Sequence, residues 1–472
     1  MVHLSARLIR CVSRSTCVAA GLLIATATIS AQQSSPASQT SPAQQTAAPG
    51  AQAAPPGARP PAINRANELL PKWLRVRGEF RERMEGFDGL GFNAAREDLY
   101  YLSRVRLNAT VTPGKALSFQ VQAQDARVAR KTVGPTGTPF RAPFDLRMAF
   151  ADVGAATGPV TVRVGRQELV YGDQRLVGHV SWLNAARTFD GAKVTFRGKK
   201  LQLEAFGTSV VRILDSEFDK SGNGNRFAGV YATAPSLVPK GTVEPYLFWK
   251  RDRNQLSETG TPGNLNLTTV GVRWVGRLPR NVEYNTDTAL QTGSLATDDI
   301  SAFAGHYQLR TPPAGRVAFR VSSEFNVASG DETPGDGARG TFDQLYPTPH
   351  DKYGLADQVG WRNIRHVRAG IELTPAKGLP VGVNYHSWWL NEKRDGLYNA
   401  GGALLARVAS GAASRHVGQE VDIQASRAIT PQLQLAAGYA HIFTGAFLKQ
   451  ATPGASYSHP YVMATYVFLA ER

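Results

Sequence analysis

The chain has 472 residues and a formal net charge of +16, with 46 glycines, 28 prolines and two cysteines. That length suits one large barrel or two to three ordinary domains. Both cysteines, Cys11 and Cys17, fall in the first 31 residues. The rest of the chain is therefore without disulfides, thiolate nucleophiles and cysteine metal sites.

Residues 1–31 read as a secretory signal. Arg7, Arg10 and Arg14 make a basic start, Val18 to Ile29 a short apolar core, and Ser30 and Ala31 a cleavage region. The apolar core is too short to span a membrane as a helix. Residues 32–71 are rich in Gln, Ser, Ala and Pro, with almost no bulky apolar residue through Ala62. Such a segment cannot bury a core and is expected to be a disordered periplasmic tether.

Beyond residue 71 the dominant signal is alternation. Leu74, Val76, Gly78, Phe80 and Met84 fall on one side of an extended chain, and Arg75, Arg77, Glu79, Arg81 and Arg83 on the other. The third such stretch sets Leu117, Phe119, Val121 and Ala123 against Ser118, Gln120, Gln122 and Gln124. One apolar face and one continuous polar face per strand suit a wall between lipid and water better than a soluble sandwich. After residue 31 no stretch has the apolar length of a spanning helix.

About 18 strands are predicted by this alternation, starting near residues 72, 98, 117, 144, 160, 188, 200, 225, 241, 264, 280, 299, 315, 360, 379, 416, 431 and 457. Their connections differ by side. Short ones carry Pro or Gly, as at Pro113-Gly114, Gly158-Pro159 and Pro312-Pro313. Longer polar ones include 91–97, 131–143, 171–187, 214–225, 329–360 and 391–415. The expected fold is an all-β transmembrane antiparallel barrel over residues 72–472, with short periplasmic turns and long extracellular loops. An even strand number puts both ends of the barrel in the periplasm. Phe468 is read as a displaced version of the aromatic that usually ends a barrel's last strand.

Alternation also assigns the inward faces. Strand one offers Arg75, Arg77, Arg81 and Arg83 with Glu79, and strand two Arg104 and Arg106. Strand four offers Asp145 and Arg147, strand five Arg163, and strand six Lys193 and Arg197. Later strands point Glu204, Glu244, Glu283, Asp287, Glu324, Glu372, Glu420 and Asp422 inward, partly balanced by Arg273, Arg316, Arg320 and Arg368. One wall is thus basic and the other mixed, a layout that favours anions. Glu79 and Asp145, set among arginines, are expected to pair with them.

The segment from Gly165 to Lys193 reads GRQELVYGDQRLVGHVSWLNAARTFDGAK. Its spaced parts are Gly165-Arg166-Gln167, Tyr171-Gly172-Asp173-Gln174-Arg175, Trp182 with Asn184, and Arg187-Thr188-Phe189-Asp190-Gly191. They resemble the recurring pattern of the alginate export family of outer-membrane channels. The resemblance implies an 18-stranded monomeric barrel whose basic lumen passes an anionic polysaccharide outward. It also implies a long periplasmic turn plugging the pore, for which every short connection here is too brief. Arg166, Asp173, Arg175, Arg187 and Asp190 are expected at the outer mouth, as a loop-fixing ion-pair network or a solute contact. Trp182 and Phe189 are candidates for the interfacial aromatic girdle.

Partners expected from this reading are an anionic polysaccharide or small anionic solute, outer-membrane lipid and lipopolysaccharide, and no nucleic acid, since no nucleic-acid motif accompanies the basic charge. An adhesive or structural barrel acting through the loops at 329–360 and 391–415 is the reading from another class. No cofactor is expected. No Gly-x-Ser-x-Gly, His-Glu-x-x-His or Walker pattern occurs. His179 with Ser181, and His386 with a distant serine, lack an orienting acid at readable spacing. Asp215, Glu217, Asp219, Asn223 and Asn225, like Asp331, Glu332 and Asp336, read as solvated acidic loops before they read as calcium sites.

Overall fold

A computed structural model describes residues 65–235 and 240–469. The proposed signal and tether through residue 64 lie outside the described residues. The end of the proposed tether does not: residues 65–71 include a short helix, Ala66–Leu69. The Asn67 amide donates to the carbonyls of Val76 and Leu469 and accepts the Val76 N–H. These three bonds tie the segment to the two strands that close the barrel.

Strands follow in chain order as β1 (Leu74–Asp88), β2 (Glu97–Gly114), β3 (Leu117–Ala129), β4 (Ala142–Val153), β5 (Val160–Gln167) and β6 (Phe189–Arg197). Next come β7 (Gln202–Arg212), β8 (Lys220–Thr233), β9 (Gly241–Leu256), β10 (Pro262–Arg277), β11 (Glu283–Leu295), β12 (Asp298–Arg310) and β13 (Arg320–Ala328). The wall continues with β15 (Ile364–Ala376), β16 (Leu379–Leu390), β19 (His416–Ala428), β20 (Leu433–Thr444) and β21 (Tyr457–Phe468). The short strands β14 (Ala338–Arg339), β17 (Gly396–Tyr398) and β18 (Leu404–Arg407) belong to loops.

Each wall strand pairs antiparallel with the next, and β1 closes the ring against β21 with Gly78 opposite Phe468. The result is the expected closed barrel of 18 strands. Closure leaves the ring without an open sheet edge, the condition for crossing lipid as a sheet. Gly78 has a specific reason to be glycine: a Cβ there would lie 2.1 Å from the Phe468 ring, which covers it. An aromatic laid over a cross-strand glycine helps pin register.

The alternation appears as burial. In β3, Leu117, Phe119 and Val121 are exposed, whereas Gln122 and Gln124 are buried. Around the barrel Phe80, Leu107, Val164, Leu290, Val367 and Ile423 face outward and Arg81, Arg104, Arg147 and Glu324 inward. An exposed apolar surface of this extent is what lipid covers. Trp73 and Trp274 are exposed near the short-turn end, and Tyr101 and Phe443 near the other. These residues fill the girdle role expected of Trp182 and Phe189. Those two are instead buried inside.

Several boundaries shift. β8 begins at Lys220, so Asn223 and Asn225 are strand residues and not loop ligands. Among the described residues no group of three or more His, Cys, Asp or Glu could hold a metal. β13 begins at Arg320, leaving Arg316 exposed on a short turn and off the inward face.

The largest departure concerns the long loops. The β5–β6 loop (168–188) and the β13–β15 loop (329–363) turn into the lumen. They zip together there: Val177 bridges Tyr346 in parallel, Gly178 N–H donates to Tyr346 O at 2.8 Å, and Thr348 N–H donates to Gln174 O at 2.9 Å. The β16–β19 loop (391–415), with its β17–β18 hairpin, bonds over the second of these through Gln344 to Ala400 O and Gly360 N–H to Tyr398 O. Among the described residues no short turn plugs this pore; outer loops narrow it.

Candidate functional site

The inward loops divide the lumen by chemistry. Along β7, β8 and β9 the inner wall is aromatic: Phe206, Phe227, Tyr231, Tyr246 and Phe248 are all buried. Tyr171 of the β5–β6 loop stacks on Tyr231 at 4.7 Å, and Tyr346 of the β13–β15 loop meets Phe227 edge-on at 4.9 Å. Burying this many rings fastens both loops to that wall, and each aromatic pair adds about 0.5–1.5 kcal/mol beyond its area. Two hydroxyls in the stack have acidic partners: Tyr231 donates to Glu244 and Tyr246 to Asp287.

The residues expected at the outer mouth build this inner structure. Arg175 is buried in the lumen, donating to Asp173 at 3.0 Å, Glu324 at 2.9 Å and the Tyr353 hydroxyl at 3.3 Å. Asp173 also accepts from Asn285 on β11. Arg187 joins the two loops, donating to the carbonyls of Gly178 and Pro347. Only Arg166 and Asp190 stay at the upper ends of β5 and β6, in a two-pronged pair at 2.8 and 3.1 Å. Arg166 also donates to Asp219 O and so holds the β7–β8 loop. Lys352 is buried beside this network; burial pushes its ammonium down to about 8, Asp173 opposing the fall and Arg175 adding to it.

Opposite the aromatic wall lies the basic one. A cavity of about 440 Å³ is lined by Arg77, Arg81, Arg104, Arg106 and Arg147, with Glu79, Glu168 and the amides of Asn108, Gln120 and Gln122. His179 and Ser181 of the β5–β6 loop roof it. Thr110, Gln120, Gln434 and Thr465 line it near the short-turn ends of their strands, so it faces the side of the short turns.

The arginines there differ in their partners. Arg104 donates to Glu79 at 2.6 Å, and Arg147 to Gln122 at 2.5 Å and to Glu168. Arg106 donates to Gln124 at 2.8 Å and leaves one terminal nitrogen without a partner. Arg81 has only carbonyl and amide oxygens, from Ser181, Trp182, Leu183 and Asn184. Among the described residues neither Arg81 nor Arg106 forms an ion pair. Burial raises the Glu168 carboxyl, but Arg147, His179 and Arg106 outweigh it and hold it at about 2. Burial and the nearby arginines push the His179 imidazole down, with Glu168 opposing.

Other basic residues assigned to the lumen are neutralised or peripheral. Arg163 forks onto Asp152 at 2.7 and 2.8 Å, and Lys193 pairs with Glu204 at 3.0 Å. Arg197 donates to Thr161, and Arg75 to the carbonyls of Pro71 and Leu74 near the barrel end. The wall of strands one to six is therefore less uniformly basic than its sequence; the excess is concentrated at Arg77, Arg81, Arg104, Arg106 and Arg147. Asp145, expected to pair with an arginine, accepts the Asp219 N–H at 2.5 Å instead.

The acidic residues of the later strands are engaged too. Glu244 takes Arg273, Glu283 takes Arg320 and Glu372 takes Arg310. Glu420 and Asp422 accept the N–H groups of Ala356 and Leu355 and so seat the β13–β15 loop. His386 does have an acid nearby, Asp422 at 3.0 Å, which the sequence did not disclose. It belongs to a buried ladder running through His366 and Asn326 to His306, without solvent access.

Glu168 escaped the sequence reading because it lies one residue beyond the alternating part of β5. The inward loops did carry a signal: Leu176, Val177, Val180, Trp182 and Leu183 are too apolar for a water-exposed loop, as are Phe342, Leu345, Tyr353, Leu355 and Trp361.

A closed 18-strand barrel with an apolar outside, a charged lumen and loops folded into it defines an outer-membrane channel of the porin type. Comparisons give the particular family. The family model described as alginate export matches residues 72–462, and the chain belongs to that family. Among solved structures it is similar to OpdK of Pseudomonas aeruginosa, at a TM-score of 0.55 and 11% identity over 83% of this chain and 98% of that one. OccK8 (OprE) of the same organism gives 0.54 and 14%, covering 84% and 98%, and OpdK solved with vanillate gives 0.56 and 12%, covering 83% and 98%. At these identities the likeness is one of fold. No curated protein sequence matched the chain. The barrel fold and family place the protein in the bacterial outer membrane, as a channel.

Proposed function

We propose that the protein passively conducts an anionic polysaccharide or uronate-like solute through its arginine-lined lumen. The observation that carries this reading is the excess of guanidinium over carboxylate around the 440 Å³ cavity, where Arg81 and Arg106 have no acidic partner among the described residues. Guanidinium suits a carboxylate because its planar fork pairs with both oxygens. Several such groups in sequence bind a solute enough to admit it and weakly enough to release it.

The inward loops favour a second reading, a porin for small anions with no role in polymer transport. Polymer and small solute separate in one experiment on liposomes and planar bilayers containing the full chain. Sodium glucuronate entering faster than glucose supports an anion path. Block of the ion current by polyuronate supports the polymer; an unaffected current with rapid glucuronate entry supports the small-anion porin. Equal entry of glucuronate and glucose sinks both.

A further inference from the structure

The β5–β6 loop is held on two unlike footings. Towards β7–β9 it is packed ring on ring through Tyr171. Towards the basic wall its tip is held mainly by carbonyl oxygens. Arg81 and Arg104 each donate to Ser181 O at 3.0 Å, Arg104 donates to Leu183 O at 3.1 Å, and Arg83 donates to Trp182 O at 2.6 Å. Trp182 lies 3.8 Å from the Arg83 guanidinium and 3.7 Å from the nearly parallel ring of His350. Two groups that close to one ring lie on its opposite faces. Asn184 marks the far end of the tip, donating to the carbonyls of Ser103, Arg127 and Phe140 at 2.9–3.0 Å.

Three guanidiniums thus converge on three neutral oxygens; Arg83 also pairs with Glu85 and Arg104 with Glu79, so among the described residues Arg81 is the one of the three without a carboxylate. Arg81 and Arg104 sit directly opposite each other in the β1–β2 register, where like charges repel. A carboxylate adds full charge attraction to the same hydrogen bonds, and it accepts from two guanidinium nitrogens at once. Building on the anion-path reading, we infer that residues 181–183 form a latch whose carbonyls occupy a carboxylate's seat. A carboxylate-bearing solute in the cavity displaces them and swings the tip away from the basic wall. The cavity faces the short turns, so solute on that side reaches the latch directly. Solute on the other side meets the β13–β15 and β16–β19 loops first.

The test uses Val180→Cys, a buried position in the tip, in a full chain with Cys11 and Cys17 replaced by serine. Maleimide labelling is followed in detergent, in sodium glucuronate and in sodium chloride of equal ionic strength. The latch predicts labelling about tenfold faster in glucuronate, the effect of exchanging a neutral for a charged acceptor. Equal rates in the two salts overturn it. Adding Arg81→Gln and Arg104→Gln should make labelling fast in both salts; slow labelling in both contradicts the latch. Conductance of the same preparation separates this from the transport reading. A glucuronate response without conductance leaves the latch and removes the channel, and conductance without a response does the reverse.

Discussion

At the scale of single residues, Arg175 shows why the lumen is a folded interior and not a coated pipe. It meets Asp173, Glu324 and Tyr353 with almost no exposure. Removing one partner from a buried ion pair leaves the other charge stranded, at a cost of about 3–5 kcal/mol. Arg175→Gln should therefore lower the temperature at which the barrel loses its compact electrophoretic mobility, and Arg175→Lys should restore only part, because an ammonium cannot reproduce the fork. A variant with unchanged heat resistance would show that Arg175 does not anchor the loop. Asp219 offers a pH test. Burial raises its carboxyl to about 7, with Asp145 adding to the rise and the Leu214 N–H opposing it. A raised carboxyl contributes stability in full below its unfolded value of about 4, and loses it as pH rises through about 7. Hydrogen exchange at the amides of Leu214 and Asp219 should quicken between those limits beyond the intrinsic rate. Asp219→Asn should abolish that excess.

Among elements, strands and loops were unequally legible. β1 and β3 were readable because a wall between lipid and water imposes a period of two on each strand by itself. The inward path of the β5–β6 loop was legible only as an excess of apolar residues, because contacts far away in sequence set its depth: Arg81 with Trp182, and Arg175 with Glu324. Its motif residues were found, yet misplaced at the mouth, since spacing along a loop carries no depth. Glu168 was missed because it lies one residue past the alternating strand, and the carbonyl acceptors of residues 181–183 because every residue has a carbonyl. Two element-level outcomes follow. Replacing residues 170–186 with a short Gly-Ser link should raise single-channel conductance by about twofold or more, as expected when a constriction is removed. Unchanged conductance would mean the loop does not narrow the path. At the seam, Gly78→Val would drive its side chain into the Phe468 ring. Overpacking of that kind costs about 1–3 kcal/mol and should reduce the folded fraction on refolding into micelles, with Phe468→Ala in the same chain relieving the clash. No relief would show that the ring over Gly78 is not what fixes the register.

At the scale of the whole molecule, the barrel has an aromatic half that binds its loops and a basic half that keeps a cavity open towards the short turns. The sequence sets arginine on the early strands against glutamate on the late ones. Ion pairs silence Arg163 and Lys193, and the net charge is left on one patch of β1, β2 and β4. The patch is the core of the transport reading. It is tested most directly by the reversal potential of the full chain in a planar bilayer under a potassium chloride gradient. A potential of the sign set by chloride is expected, moving towards zero when Arg104, Arg106 and Arg147 are together replaced by glutamine. A potential set by potassium, or one indifferent to those three replacements, would contradict it.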